Sequence, residues 1–173
     1  MSSLDYHDPR AHALRERHLS RFGGEEIPVS VESIAEDLLG LAVDAVHDLE
    51  CSGMLLSSER RILVNAAEPE ERRRFTIAHE LGHWICQCLE GTVKPVYCRA
   101  DEIGVDPEAK KLEREANIFA ANLLMPASSV WGARGATDRA VSDEAFAWRR
   151  YNLGLVEERP SGVGTEARWL RST

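Results

Sequence analysis

The stretch that decides the fold of this chain is Phe75-Thr76-Ile77-Ala78-His79-Glu80-Leu81-Gly82-His83-Trp84. On a helix, His79 and His83 stand four residues apart, so both imidazoles project from one face, about one turn from each other. A tetrahedral zinc ion accepts two neighbouring ligands at that spacing. Glu80 projects beside them, where a carboxylate can take a proton from a water that the metal activates. The stretch therefore predicts a catalytic zinc site that needs a further protein ligand.

Length and composition indicate the class of protein that carries this site. The chain has 173 residues, 43% of them hydrophobic, which predicts a single domain with enough apolar side chains for a core. A formal net charge of −8 argues against broad or direct nucleic-acid binding. No apolar run reaches the length of about eighteen residues that indicates a membrane span. Residues 1–10 lack the basic and apolar regions of a secretory signal, so we expect a cytoplasmic protein.

The four cysteines are Cys51, Cys86, Cys88 and Cys98. In a reducing cytosol we expect them to be free thiols. The last three lie close together in sequence, and a second metal site is the alternative interpretation. A C-x-C pair on a helix directs its two thiols about 200° apart, however, which favours free thiols over shared metal binding.

The N-terminal segment 5–22 predicts a polar helix that the Gly23-Gly24 pair ends. Its arginines, which make it locally basic, are Arg10, Arg15, Arg17 and Arg21. A solvated helix face is one interpretation of this pattern, and a contact for an acidic partner is the other. We assign residues 1–26 to a polar and basic N-terminal extension.

Strand signals occupy the region before the central motif. Residues 41–46, 53–56 and 61–65 are short, apolar or β-branched, and separated by polar turns. Residues 57–60 have the composition of a hairpin loop between the second and third runs. The pattern predicts a small, mostly antiparallel sheet of about three strands.

Helical patterns account for most of the remaining chain. A first helix runs from the N-cap Ser30 to Gly40, and the central helix runs from Pro69 to Gly91. A long helix follows from Pro107 to Pro126, and a last one has Ser142 as its N-cap and Gly154 at its end. The residues that form the expected buried stripe of the central helix are Ala78, Leu81, Ile85 and Cys88.

A catalytic zinc site uses three protein ligands, so the chain must supply one more. Zinc peptidases with a third histidine shortly after the motif would require histidine at position 89 and glycine at position 86. This chain has Leu89 and Cys86 there, which excludes that class. The next candidate is a glutamate on the following long helix, where Glu113 and Glu115 flank the apolar stripe on opposite sides.

The neighbours of these two glutamates separate them. Asn117 lies four residues after Glu113, on the same helix face, where its amide can accept the remaining N–H of a zinc-bound histidine. Phe119 lies four residues after Glu115 and belongs to the core stripe. We therefore choose Glu113 as the third ligand and Asn117 as the residue that orients a histidine. Glu115 is interpreted as a surface charge paired with Lys111.

Two motifs together resemble the ImmA/IrrE-type zinc metallopeptidases. They are Arg74-Phe75-Thr76-Ile77-Ala78-His79-Glu80-Leu81-Gly82-His83 and Glu113-Arg114-Glu115-Ala116-Asn117-Ile118-Phe119-Ala120-Ala121, which runs into Leu123-Leu124-Met125-Pro126. The resemblance covers roughly residues 27–155, which we assign to the peptidase domain, with 156–173 as a loosely ordered tail. It implies an α+β, zincin-like fold in which the sheet packs on the motif helix and on a second, ligand-bearing helix.

The resemblance also implies site roles and a biological setting. His79, His83 and Glu113 would bind zinc, with manganese as an alternative metal, and Glu80 would be the catalytic base of a gluzincin-like enzyme. Family members are bacterial or phage-associated. Their best understood substrates are helix-turn-helix repressors, whose cleavage switches on genes of mobile elements or stress responses. Because this sequence shows no helix-turn-helix segment of its own, we expect a separately encoded repressor as its partner.

The residue that stabilises the oxyanion is left open by the sequence. Candidates are Tyr97, His47 and Arg99, and each of them is also interpretable as an ordinary loop residue.

Two other functions remain as alternatives to a peptidase. One is a non-catalytic regulator or sensor that binds zinc and a repressor, and the intact Glu80 argues against it. The other is a different hydrolase or a component of a toxin–antitoxin pair, which only the neighbouring gene would distinguish.

Overall fold

The structure is a computed structural model and describes residues 7–88, 106–131 and 140–161. It has an α+β architecture of several helices and one small sheet. In chain order the elements are α1 (Pro9–Phe22), α2 (Val31–Ser33, continued by the π-helical turn Ile34–Leu38), β1 (Ala42–Val46), β2 (Gly53–Leu56), β3 (Arg61–Asn65), α3 (Glu70–His83, continued by the π-helical turn Trp84–Cys88), α4 (Pro107–Leu124), α5 (Ala127–Trp131) and α6 (Asp143–Asn152).

The sheet has three strands in the order β1-β3-β2, as many as the sequence predicts. β2 pairs with β3 antiparallel, whereas β1 pairs with β3 in parallel. The sheet is therefore mixed, and the prediction of a mostly antiparallel sheet is wrong for β1. The two pairings differ in how far apart their strands lie in the sequence. The 3₁₀ turn Ser57–Glu59 joins β2 directly to β3 as a hairpin, whereas β2 lies between β1 and its partner β3 in the sequence. Hairpin signals are visible in a sequence, but a parallel pairing between distant segments has no such signal.

The central packing of the molecule is the contact between α3 and α4. At this crossing, a Cβ atom on Gly82 would lie 2.9 Å from both the Cα and the carbonyl oxygen of Ala116. The two helix backbones can approach this closely because Gly82 has no side chain. The most completely buried core side chains include Leu81 on α3, Phe119 and Leu123 on α4, and Ile62 on β3.

α1 packs against the other side of α4. Its N-cap Asp8 accepts a hydrogen bond from the Arg10 backbone N–H at 2.9 Å. Ala11 and Leu14 are buried in the same hydrophobic cluster as the α3 and α4 side chains, while Arg17 is exposed. One face of α1 therefore belongs to the core, and Arg17 lies on the face exposed to solvent.

The predicted starts of the later helices are present. Asp106 caps α4 by accepting from the Glu108 N–H at 3.0 Å, and Ser142 caps α6 by accepting from the Ala145 N–H at 3.2 Å. The short helix α5 has no counterpart in the sequence prediction. None of the helices in the described parts of the chain is long and apolar enough to cross a membrane.

Candidate metal centre

Three side chains from α3 and α4 converge on one point. Nε2 of His79 lies 3.3 Å from a carboxylate oxygen of Glu113, and Nε2 of His83 lies 3.1 Å from the other oxygen. The two Nε2 atoms are 3.0 Å apart. Tetrahedral zinc with bonds of about 2.0–2.2 Å places its ligand atoms roughly 3.3–3.5 Å from one another, close to these separations. Among the described residues, no other set of three His, Cys, Asp or Glu side chains comes together in this way.

The outer nitrogens of both histidines are held by amide side chains. His79 Nδ1 lies 2.8 Å from Oδ1 of Asn117, the residue chosen from the sequence for this contact. His83 Nδ1 lies 2.9 Å from Oε1 of Gln87, whose Nε2 donates to the Leu112 carbonyl at 3.1 Å. Because an amide oxygen only accepts, each Nδ1 carries a hydrogen, and Nε2 is the nitrogen of each ring that faces Glu113. A metal ion that displaces the proton from these nitrogens would meet one lone pair from each ring at the point of convergence.

Sequence reasoning missed Gln87. The signal was present, because Gln87 stands four residues after His83 and would share its face on a helix. The final turn of α3 is π-helical from Trp84 to Cys88, and it leaves Gln87 only 1% exposed. Ala78 and Leu81 of the predicted stripe are fully buried, and Ile85 and Cys88 are half-buried and pack against the core. The wider turn rotates the end of the helix relative to α-helical spacing, so the last two residues of the stripe are less buried than the first two.

The histidines and Glu113 of the cluster shift one another's pKa values. Burial opposes protonation of His83, but the hydrogen bond to Glu113 and the charges of Glu80 and Glu113 outweigh it and raise the pKa of His83 to about 9. Burial would raise the pKa of Glu113, but its hydrogen bonds with His79 and His83 hold that pKa well below its ordinary value. Glu113 is therefore an anion that attracts positive charge to the point where the three side chains meet.

Glu80 lies next to His79 on α3 and is 7% exposed. Burial is the main cause that raises the pKa of Glu80, and the charge of Glu113 adds to it, whereas His83 and His79 act in the opposite direction. A carboxylate with a raised pKa is a stronger base than an exposed one. Its position beside the cluster and its basicity suit it to accepting a proton there.

The structure also separates the two glutamates of α4. Glu113 lies in the cluster, whereas Glu115 lies on the side of α1, with one carboxylate oxygen 3.8 Å from Nη2 of Arg10. The side chain of Glu115 is 37% exposed, so this ion pair contributes little. In the structure Glu115 faces Arg10 on α1. The sequence predicts a different partner, Lys111 on the same helix as Glu115.

Tyr97, Arg99 and Cys98 are outside the described residues. His47 is exposed in the turn after β1, and its predicted role stays a prediction. Within the described part of the chain, Cys51, Cys86 and Cys88 form no disulfide, as expected from the sequence.

The donor set fits a divalent metal ion. Two neutral imidazole nitrogens and one carboxylate are the ligands that catalytic zinc sites use when they leave a position open. The two Nε2 atoms are only 3.0 Å apart, a separation at which two lone pairs need a proton or a metal ion between them. His79, His83 and Glu113 can therefore hold a metal ion, with Asn117 and Gln87 fixing the two rings.

Comparison with known proteins places these residues in a wider context. A protein-family model described as Peptidase_M78, IrrE N-terminal-like domain, matches residues 34–137, which is more than half of the chain. The matched segment contains the whole sheet, α3 and α4. A search of curated proteins finds no match.

Proposed function

The chain belongs to the IrrE N-terminal-like family of peptidases, and from this premise we propose that it is a zinc-dependent enzyme that hydrolyses a peptide bond in a protein substrate. The observation that carries the proposal is the convergence of His79, His83 and Glu113 beside the buried carboxylate of Glu80. A purely structural metal site has no use for a buried base next to its ligands. A metallopeptidase needs both.

His79, His83 and Glu113 would hold the metal in a gluzincin-like arrangement, with manganese as the alternative ion. A zinc ion bound there supplies Lewis-acid chemistry, which lowers the pKa of a water to about 7 and polarises a carbonyl. Glu80 accepts the proton of the attacking water at a carboxylate oxygen and later donates it to the leaving amine. Asn117 and Gln87 keep the imidazole rings in the tautomer that this site requires.

The edge of β2 is where we place the substrate. β2 has β3 as its partner on one side, and it packs on α3. A Cβ atom on Gly53 would collide with Cγ2 of Thr76, so the strand backbone rests on α3 one turn before His79. A substrate segment added to this edge would run beside the metal centre and would be held by backbone hydrogen bonds. A structure with a bound peptide lying elsewhere would rule this out.

The expected substrate is a separately encoded helix-turn-helix repressor, and its cleavage would relieve repression of mobile-element or stress-response genes. This part of the proposal rests on the family to which the chain belongs and on the resemblance of its two motifs. The formal net charge of −8 supports a protein partner over direct contact with nucleic acid.

The test is to incubate the purified protein with zinc and with the repressor encoded beside it, and to compare it with its Glu80→Gln variant. Loss of a general acid–base group lowers rates by about 10²- to 10⁴-fold, so only the unaltered protein should shorten the repressor on the assay timescale. The matched control is Glu71→Gln, an exposed carboxylate on the first turn of the same helix, which should leave cleavage intact.

Two outcomes would contradict the proposal. Equal loss of full-length repressor with Glu80→Gln would overturn the role of Glu80. No cleavage under either zinc or manganese, together with stable binding of the repressor, would favour a non-catalytic regulator.

A further inference from the structure

Arg15 on α1 is a buried cation outside the metal centre. It is 4% exposed, although arginine almost always keeps its charged end in water. Its Nη1 donates to the backbone carbonyl of Asn122 at 3.4 Å, and its Nη2 lies 3.0 Å from Nδ1 of His12. Its Nε is buried and has no hydrogen-bond partner among the described residues. The hydrogen-bond partners of this guanidinium are therefore two neutral groups.

A buried charge of this kind is costly unless an opposite charge compensates it. Burial lowers the pKa of Arg15, while the charges of Glu26 and Glu16 act in the opposite direction. Asp8, the buried carboxylate at the start of α1, is already engaged by the guanidinium of Arg10 at 3.0 and 3.1 Å. The nearby protein carboxylates thus act on Arg15 without forming an ion pair with it.

Arg15 lines a cavity of about 350 Å³ between α1 and the junction of α4 with α5. Besides Arg15, the wall carries three carboxylates, Asp8, Glu16 and Glu26, and the imidazoles of His7 and His12. Because the guanidinium of Arg15 only donates, His12 accepts from it at Nδ1 and presents an N–H at Nε2. The volume lies near the lower end of the range of about 300–1,000 Å³ that is typical of small-molecule sites.

We propose that this cavity binds a small zwitterion, an α-amino acid or a short peptide, whose carboxylate meets Arg15 and whose ammonium meets Glu16 and Glu26. Nη1 and Nη2 of Arg15 each carry a second N–H beyond their contacts with Asn122 and His12, and these groups, with the Nε2–H of His12, would supply donors for the carboxylate. The two glutamates on the same wall would repel a ligand that carried only negative charge. A ligand with both charges satisfies each side of the cavity.

The test uses the full-length, ¹⁵N-labelled Glu80→Gln variant, so that peptide probes are not hydrolysed during the measurement. The probe is L-alanyl-L-alanine, followed in separate titrations by its N-acetyl form and its C-terminal amide. The expected result is a set of chemical-shift changes at α1 and at Ala127 and Ser128. The zwitterion should bind more tightly than either singly charged form.

Variants then assign the contact. Arg15→Met should lower the affinity by about tenfold or more, which is what one hydrogen bond to a charged group contributes. Arg15→Lys keeps the charge but removes the planar donor set, so its affinity should be intermediate, and it tests the site if Arg15→Met folds poorly. The matched control is Arg17→Met, an exposed arginine on the same helix, which should bind like the parent.

Several results would overturn the inference. Shifts confined to α3 and α4 around His79 would place the peptide at the metal centre instead. Equal binding of the three probe forms, an unchanged affinity in Arg15→Met, or no shift with any probe would each show that the cavity does not recognise a zwitterion. A failure to bind a zwitterion at Arg15 would leave cleavage of a protein substrate unaffected, so the peptidase proposal stands or falls separately.

Discussion

α4 packs on α3 and on α1, and the polar groups at these two contacts differ in charge. On the α3 side, two imidazole nitrogens and a carboxylate point at one another, and amide side chains hold both rings from behind. On the α1 side, the guanidinium of Arg15 is buried against neutral partners. The first contact concentrates electron-pair donors, and the second buries a cation. The comparison teaches that the charge of buried side chains indicates the charge of the ligand they suit. The electron-pair donors on the α3 side suit a cation, and the buried guanidinium on the α1 side is the basis for the proposed carboxylate ligand.

The largest expected effect is on the α3 side and concerns a ligand itself. Glu113→Gln removes the only anion among the three donors and should weaken zinc binding by more than the roughly 10- to 100-fold that loss of a ligand's hydrogen-bond partner costs. Glu115→Gln is the matched control, since it lies two residues away on the α1 side of the same helix and should bind zinc normally. Zinc affinities from competition with a chromophoric chelator measure both. Equal weakening in the two variants would mean that α4 contributes only through its charge.

The next effect separates the two amides that hold the rings. Asn117→Ala and Gln87→Ala should each lower zinc affinity by about 10- to 100-fold, because each frees one imidazole to rotate. Gln87→Ala should have the further effect of lowering the stability of the metal-free protein, since Gln87 also donates to the Leu112 carbonyl on α4. Zinc titration and urea unfolding without metal distinguish these results. Unchanged zinc affinity in Gln87→Ala would show that His83 is held by its helix alone.

A smaller effect is expected at the crossing of the two helices. Gly82→Ala would place a Cβ atom 2.9 Å from the Ala116 backbone, so α3 and α4 must move apart. Overpacking of this kind costs about 1–3 kcal/mol of unfolding free energy, which urea unfolding can measure. Adding Ala116→Gly should not restore stability, because the two closest atoms are the Cα and the carbonyl oxygen, not a side chain. Recovery in the double variant would show that the helices are not held together at this point.

The smallest effect is on the α1 side. Asp8→Ala removes the N-cap of α1 and should lower stability by about 1 kcal/mol, whereas Asp8→Asn keeps an acceptor and should lower it less. Zinc affinity should stay the same in both variants, because α1 supplies no group to the metal centre. A parallel loss of zinc affinity would show that the two sides of α4 are coupled.

The candidate site could be predicted from the sequence to the extent that helical spacing generates it. His79 and His83 share a face because they stand four residues apart, and the same rule selects Glu113 with Asn117. Gln87 follows from that rule too, because it stands four residues after His83. The prediction assumed α-helical spacing and assigned this turn to an apolar stripe, whereas the turn is π-helical and buries Gln87. The cavity at Arg15 could not be predicted, since a buried arginine and a solvated one look alike in a basic helix.

The sequence by itself determined the motif helix, the ligand-bearing helix, the three strands and the hairpin between β2 and β3. Each of these depends on residues close together in the chain, so local spacing and turn chemistry specify them. Only the tertiary structure decided the parallel pairing of β1 with β3, the close crossing at Gly82, the contact of Gln87 with α4 and the burial of Arg15. These depend on which distant segments meet, and that is settled by the joint packing of all the elements around one core.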